Sequence, residues 1–158
     1  MPDIIKQLFA LLDQKQWRVV TAESCTGGLI AKTITDYAGS SAYLDCGFVT
    51  YSNDAKIHHL GVAAATLANH GAVSEETARE MALGALQNAP NAQAAIAVTG
   101  IAGPGGGSAD KPVGLVYIGV ATGDLTLVTR TVFAGDRGAI REATKDKALA
   151  QLVQLLST

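Results

Sequence analysis

Two β-rich runs, Val113–Ala121 and Leu125–Phe133, are separated only by Thr122, Gly123 and Asp124. Three residues cannot hold a crossover helix, so these runs can pair only as antiparallel neighbours. The chain before them behaves differently, because strand-like and helix-like segments alternate along it. Ile4, Ile5, Leu8, Leu11 and Leu12 form one apolar stripe at helical spacing. Trp17–Val20 reads as a short strand, and Gly28–Tyr37 as the helix that follows it. Leu44–Tyr51 reads as a second strand, after which Ser52, Asn53 and Asp54 cap a short helix through Lys56 and His59. Ser74 opens a helix with Glu75 and Glu76 in its first turn, running to Asn88 before Pro90. Ala94–Val98 is a short buried strand ended by Thr99 and Gly100, and Arg137–Leu156 is a final helix. The pattern predicts an α/β fold, a three-layer α/β/α sandwich. Its sheet is mixed and mostly parallel, with about five strands including one antiparallel hairpin. No linker, repeat or low-complexity run divides the chain, so residues 1–158 read as a single domain.

The bulk composition narrows the function. Of 158 residues, 48% are hydrophobic and 16% charged, which suits a packed core and argues against disorder. A net charge of −2 offers no electrostatic footprint for nucleic acid or a membrane surface, so any phosphate binding must be local. No apolar run reaches membrane-spanning length, and Met1–Lys6 lacks a signal-peptide pattern, so a cytoplasmic protein is expected. Cys25 and Cys46 make neither a C-x-x-C motif nor a disulfide framework, and the three histidines lack metal-ligand spacing.

Four segments carry residues suited to chemistry. Thr21-Ala-Glu-Ser-Cys-Thr-Gly-Gly28 joins a strand to a helix, where glycines let backbone N–H groups approach a phosphate or an oxyanion. Gly39-Ser-Ser41 closes the first long helix, with Gly39 suited to a helix C′ position. Tyr51–Lys56 runs from a strand end into a helix, at the crevice where open α/β sheets bind ligands. A lysine buried there with a lowered pKa could serve as general base for a serine. Thr99-Gly-Ile-Ala-Gly-Pro-Gly-Gly-Gly-Ser108 follows a buried strand but lacks the Gly-Lys-Ser/Thr ending of a P-loop. Beyond these, Asp136 can cap the last helix and leave Arg137 beside it for a monophosphate.

Taken in order, these segments resemble the CinA C-terminal domain family. The likeness is carried by Thr21–Gly28, Gly39–Ser41, Gly47–Asn53 followed by Lys56, Gly71–Ser74, Thr99–Gly106, Lys111–Gly114 and Gly135–Arg137. Stand-alone members of that family are nicotinamide-nucleotide amidohydrolases. The resemblance implies hydrolysis of the carboxamide of nicotinamide mononucleotide by a serine amidase, without metal or other cofactor, in a homodimer. It assigns catalysis to Ser41, Tyr51 and Lys56, and the substrate phosphate to Arg137. Ser24, Thr26, Gly27, Gly100 and Gly103 fall to substrate binding or oxyanion support. Ser24 is the rival nucleophile, since it also precedes a glycine-rich helix start, and Cys25 could replace either serine. Glu23 could orient Lys56 or begin a helix. The competing function is a nucleotide-binding or regulatory module that keeps the pocket without turnover.

Overall fold

The computed structural model describes residues 3–158, so Met1 and Pro2 of the N-terminal segment lie outside the described residues. Five strands form one sheet: β1 (Val19–Glu23), β2 (Leu44–Val49), β3 (Ala94–Gly100), β4 (Leu115–Thr122) and β5 (Thr126–Val132). Six helices cover it: α1 (Ile4–Lys15), α2 (Leu29–Thr35), α3 (Asn53–Leu60), α4 (Ala64–His70), α5 (Glu75–Asn88) and α6 (Arg137–Leu156). The order across the sheet is β2-β1-β3-β4-β5. β1 runs parallel to β2 and β3, whereas β4 is antiparallel to both β3 and β5. It follows that β1, β2, β3 and β5 all point one way, and their carboxyl ends meet along one edge.

The two faces of the sheet are packed differently, and β3 shows why. Its Ile96 and Val98 join Leu8, Ile30, Ile140 and Leu152 in a core of large side chains under α1, α2 and α6. Its Ala95 and Ala97 face the other layer, with Ala82, Ala85 and Met81 of α5 and Leu60 of α3. Small residues on both partners bring α5 close to the sheet and to α3. A Cβ added at Gly84 would lie 1.8 Å from the Leu60 carbonyl oxygen, so no side chain fits at that crossing. The alanine-rich stretch Met81–Leu86 therefore serves the core, although Leu83 stays exposed.

Most expected elements are present, and the differences have local causes. Ser52, Ser74 and Asp136 cap α3, α5 and α6 by accepting from Ala55, Thr77 and Ala139 N–H. The second strand ends at Val49 instead of Tyr51, because Thr50 and Tyr51 turn their carbonyls toward Lys56. The unanticipated α4 is seven residues long without its own side-chain cap, too short to show periodicity. It is held from α5 by Glu80, which accepts from Ala63 N–H and Thr66 Oγ1 at 2.9 and 2.6 Å. Gly39 is not at the C′ position of α2, which ends at Thr35. It instead precedes a single 3-10 turn over Ser40–Ala42. No helix of the described chain is long and apolar enough to cross a membrane.

Candidate active site

The carboxyl ends of β1, β2 and β3 gather most of the candidate residues. Ser24 follows β1 immediately, and its N–H donates to Val98 O of β3 while its carbonyl accepts from Gly27 N–H, both at 3.1 Å. Gly27 and Gly28 then take positive φ of 60° and 105°, a conformation in which a side chain would strain the backbone. This tight reversal projects Ser24 Oγ from the end of a buried strand. The expected anion site at the start of α2 is already filled from within. The buried Glu23 carboxylate accepts from Ile30 and Ala31 N–H at 2.8 and 3.0 Å, taking the helix-terminal donors itself. Glu23 thus ends β1 and caps α2 through its side chain, and it forms no hydrogen bond or ion pair with Lys56.

Lys56 comes to the same point from α3. Side chains on a helix lean toward its N-terminus, so Lys56 points back over the residues that precede α3. Its Nζ lies 2.9 Å from Ser24 Oγ, 3.0 Å from Thr50 O and 3.1 Å from Tyr51 O. The side chain is 1% exposed, and it takes part in no ion pair among the described residues. Burial without a carboxylate partner favours the neutral amine and lowers its pKa below the ordinary lysine value. A neutral amine has two N–H groups and one lone pair. Charged, Lys56 donates to all three oxygens; once neutral, it keeps its N–H groups on the two carbonyls, which can only accept, and turns its lone pair to the Ser24 O–H.

Arg137 joins two further loops. Its guanidinium donates to Gly103 O at 2.8 Å and to Tyr51 Oη at 3.2 Å. Tyr51 is 61% exposed, and of its atoms it is the backbone carbonyl that bonds Lys56. Val49, also exposed, borders Gly28 at the mouth of the same turn. Gly100 and Gly103 have a packing reason of their own. A Cβ at Gly100 would lie 2.6 Å from the side chain of its β4 partner Val116, and one at Gly103 2.5 Å from Val113, where the loop folds back on the segment leading into β4.

Ser41 is not brought to this place. Its 3-10 turn precedes β2, and Tyr43 O accepts there from Val19 N–H at the amino end of β1. A strand of six residues, about 17 Å at the usual rise, separates it from Lys56. Ser41 is exposed and forms no hydrogen bond with Tyr51 or Lys56 among the described residues. Ser24, the rival, is the serine paired with Lys56. Cys25 is buried beside it, and burial pushes its thiol up to about 11, so it stays protonated and unreactive near neutral pH. Thr26 is fully buried with its hydroxyl lacking a partner among the described residues.

One residue of the site has no counterpart in the sequence reasoning. Arg141 of α6 donates to Cys25 O at 3.1 Å and to Thr26 O at 2.8 Å. Its place four residues after Arg137, on the same helix face, was the signal available.

The likenesses of this chain agree with one another. A profile of the CinA C-terminal domain matches residues 2–156. The nicotinamide-nucleotide amidohydrolase PncC of Enterobacter agglomerans is 57% identical over 136 residues, covering 85% of this chain and 82% of that protein. The protein of the same name in Escherichia coli K12 is 55% identical over 137 residues, covering 86% and 82%. A putative competence-damage inducible protein of Caldicellulosiruptor bescii is 53% identical over 142 residues, which cover 90% of this chain but 34% of that longer protein. Among solved structures, the competence/damage inducible protein CihA of Agrobacterium tumefaciens superimposes with a TM-score of 0.91 at 48% identity, covering 100% of this chain and 98% of that one. The competence damage-inducible protein A of Klebsiella pneumoniae gives 0.93 at 40% identity, covering 98% and 95%. With residues 2–156 matched by the family profile and the full chain matched in fold, the chain belongs to the CinA C-terminal domain family.

Proposed function

We propose that the protein hydrolyses the carboxamide of nicotinamide mononucleotide to nicotinate mononucleotide and ammonia, recycling a pyridine nucleotide, with Ser24 as nucleophile and Lys56 as its base. The observation that carries the chemistry is the buried Lys56 amine 2.9 Å from Ser24 Oγ, its N–H groups engaged by two backbone carbonyls. The substrate comes from the amidohydrolase relatives, which match this chain over most of both lengths.

An amide is a poor electrophile, so the attacking hydroxyl must lose its proton as it attacks and the leaving nitrogen must gain one. Ser24 Oγ bonds to the carboxamide carbon while its proton passes to Lys56, and the carbonyl electrons move onto oxygen. Collapse of this oxyanion breaks the C–N bond, and Lys56 returns the proton to the nitrogen, which departs as ammonia. Water then adds to the acyl-serine, giving a proton to Lys56. Ser24 Oγ leaves with that proton and nicotinate mononucleotide is released. The proton path runs directly between Ser24 and Lys56 and not through Tyr51, whose hydroxyl accepts from Arg137 and whose hydrogen bond to Lys56 is made by its backbone carbonyl. Arg137 keeps further N–H groups for the substrate phosphate, and exposed Val49 and Tyr51 offer the pyridinium ring a surface.

Ammonia release from nicotinamide mononucleotide by wild type, Ser24→Ala and Lys56→Met tests the reading. Turnover in wild type and its loss in both folded variants is the expected result. Activity surviving in Ser24→Ala would remove Ser24 as nucleophile, and saturable binding without ammonia in wild type would make the protein a binding module.

A further inference from the structure

Two of the segments that carry the family likeness, Gly71–Ser74 and Lys111–Gly114, make no bond to Lys56 or to the Ser24 hydroxyl among the described residues, and the structure joins them to each other. Lys111 Nζ donates at 2.6 Å to His70 O, the last carbonyl of α4. That carbonyl lies at the negative end of the helix, beyond the reach of its N–H groups, and so suits a cation. A Cβ at Gly71 would lie 3.0 Å from Lys111 Nζ, so the glycine leaves the ammonium its room. The receiving turn is itself fixed. Gly71 O accepts from Ser74 Oγ and Thr77 Oγ1, and Ala72 O accepts from Thr99 Oγ1 at the end of β3.

What Lys111 ties down is the glycine-rich loop, residues 101–114. Its stretch from Pro104 to Asp110 is exposed, and the N–H groups of Gly105, Gly106 and Gly107 find no protein acceptor among the described residues. Such a loop has little stiffness of its own. Two residues after Lys111, the Val113 side chain fills the inside of the loop, where a Cβ at Gly103 or Gly107 would lie 2.5 or 2.9 Å from it. Gly114 then donates to Ile101 O and accepts from Phe133 N–H, which sets this segment beside the chain leading into Arg137. Among the described residues, Gly103 O accepts from Arg137 and from no other protein donor. The guanidinium therefore sits where the shape of the loop puts that carbonyl.

We infer that Lys111 is a positioning residue: its clasp on the end of α4 holds the glycine-rich loop in the shape that aims Arg137 at the substrate phosphate. This rests on Arg137 holding that phosphate.

The test compares wild type, Lys111→Met, Lys111→Arg, Arg137→Gln and the double variant Lys111→Met/Arg137→Gln. Two readouts are taken: KM and kcat for nicotinamide mononucleotide and its phosphate-free nucleoside, and amide hydrogen exchange without substrate at Ser108 and Gly114, whose N–H groups are bonded within the loop. Lys111 lies outside both hydrophobic cores, so its truncation leaves the fold standing. Lys111→Met should raise KM for the mononucleotide by about three- to tenfold, with kcat within about twofold of wild type and KM for the nucleoside unmoved. Exchange at Ser108 and Gly114 should quicken by about three- to tenfold. Lys111→Arg keeps a charged donor for the single carbonyl and should restore both readouts. Because the clasp acts through Arg137, adding Lys111→Met to Arg137→Gln should raise KM by less than about twofold further. An unchanged KM in Lys111→Met, an equal rise for the nucleoside, or additive effects in the double variant would overturn the inference. So would unaltered exchange, which would make Lys111 a direct contact of the phosphate. If Arg137→Gln leaves KM for the mononucleotide unchanged, the phosphate reading has failed and the clasp with it. If Arg137→Gln raises KM and Lys111→Met does not, only the role of Lys111 has failed.

Discussion

Two turns in this protein pair serine with glycine, and they have opposite fates. Around Ser24 the chain leaves a buried strand, reverses through Gly27 and Gly28 over the capping carboxylate of Glu23, and meets a buried amine and a guanidinium from two other elements. Around Ser41 the chain leaves α2 through Gly39, makes one exposed 3-10 turn and enters β2 at its amino end. Both turns have residues able to form a nucleophilic site. What separates them is the direction of the sheet. The carboxyl ends of β1, β2 and β3 open onto a shared edge where helices and loops from distant parts of the chain converge, and the amino ends do not bring Lys56 within reach.

The sharpest way to break this contrast is to remove each hydroxyl. Ser24→Ala should lower kcat by roughly 10³-fold or more, as expected for loss of a covalent nucleophile, while Ser41→Ala keeps the wild-type rate in the same ammonia assay. A large loss in Ser41→Ala would mean that the two turns come together in a form of the protein other than this one. The phosphate end of the site is next. Arg137→Gln should raise KM for nicotinamide mononucleotide by about tenfold or more and narrow the preference for it over the phosphate-free nucleoside, measured by competing the two substrates.

The pH dependence sharpens the comparison through Lys56. Its lowered pKa means that the reactive amine is present above a midpoint below the ordinary lysine value of about 10.4, so kcat should rise with pH through that midpoint. The same shift governs stability. Between the folded and unfolded pKa values the unfolded chain binds more protons, so stability rises with pH across that window and is penalised below it. In urea melts taken across that range, Lys56→Met should lose this slope. The smallest effect is expected at Cys25. Its protonated, buried thiol predicts that Cys25→Ala keeps kcat within about threefold and that iodoacetamide leaves wild-type activity unchanged near neutral pH. Rapid inactivation with alkylation mapped to Cys25 would contradict that burial.

Much of the fold was legible locally. Ser52, Ser74 and Asp136 are cap residues by type and they cap, and the spacing of Thr122–Asp124 required the antiparallel hairpin that joins β4 to β5. The antiparallel pairing of β3 with β4 was not legible, because a long glycine-rich loop between two strands is compatible with either sense. The site was legible as a set of motifs but not as a pairing. Thr21–Gly28 reads along the chain as a ligand loop and Gly39-Ser-Ser41 as a turn, and only the resemblance to the CinA C-terminal domain family favoured the second for the nucleophile. Arg141 left no mark beyond its spacing from Arg137, since a helical arginine is ordinarily a surface residue.

The sequence by itself determined which segments become strands, which residues cap the helices, and which family it belongs to, because these follow from patterns within a few turns of chain. The tertiary structure alone decided that Lys56 is buried against Ser24, 32 residues earlier, and that Arg141 reaches across 116 residues to Cys25. Those contacts depend on strand order and on which edge of the sheet each loop leaves, and neither is encoded in the spacing of residues along the chain.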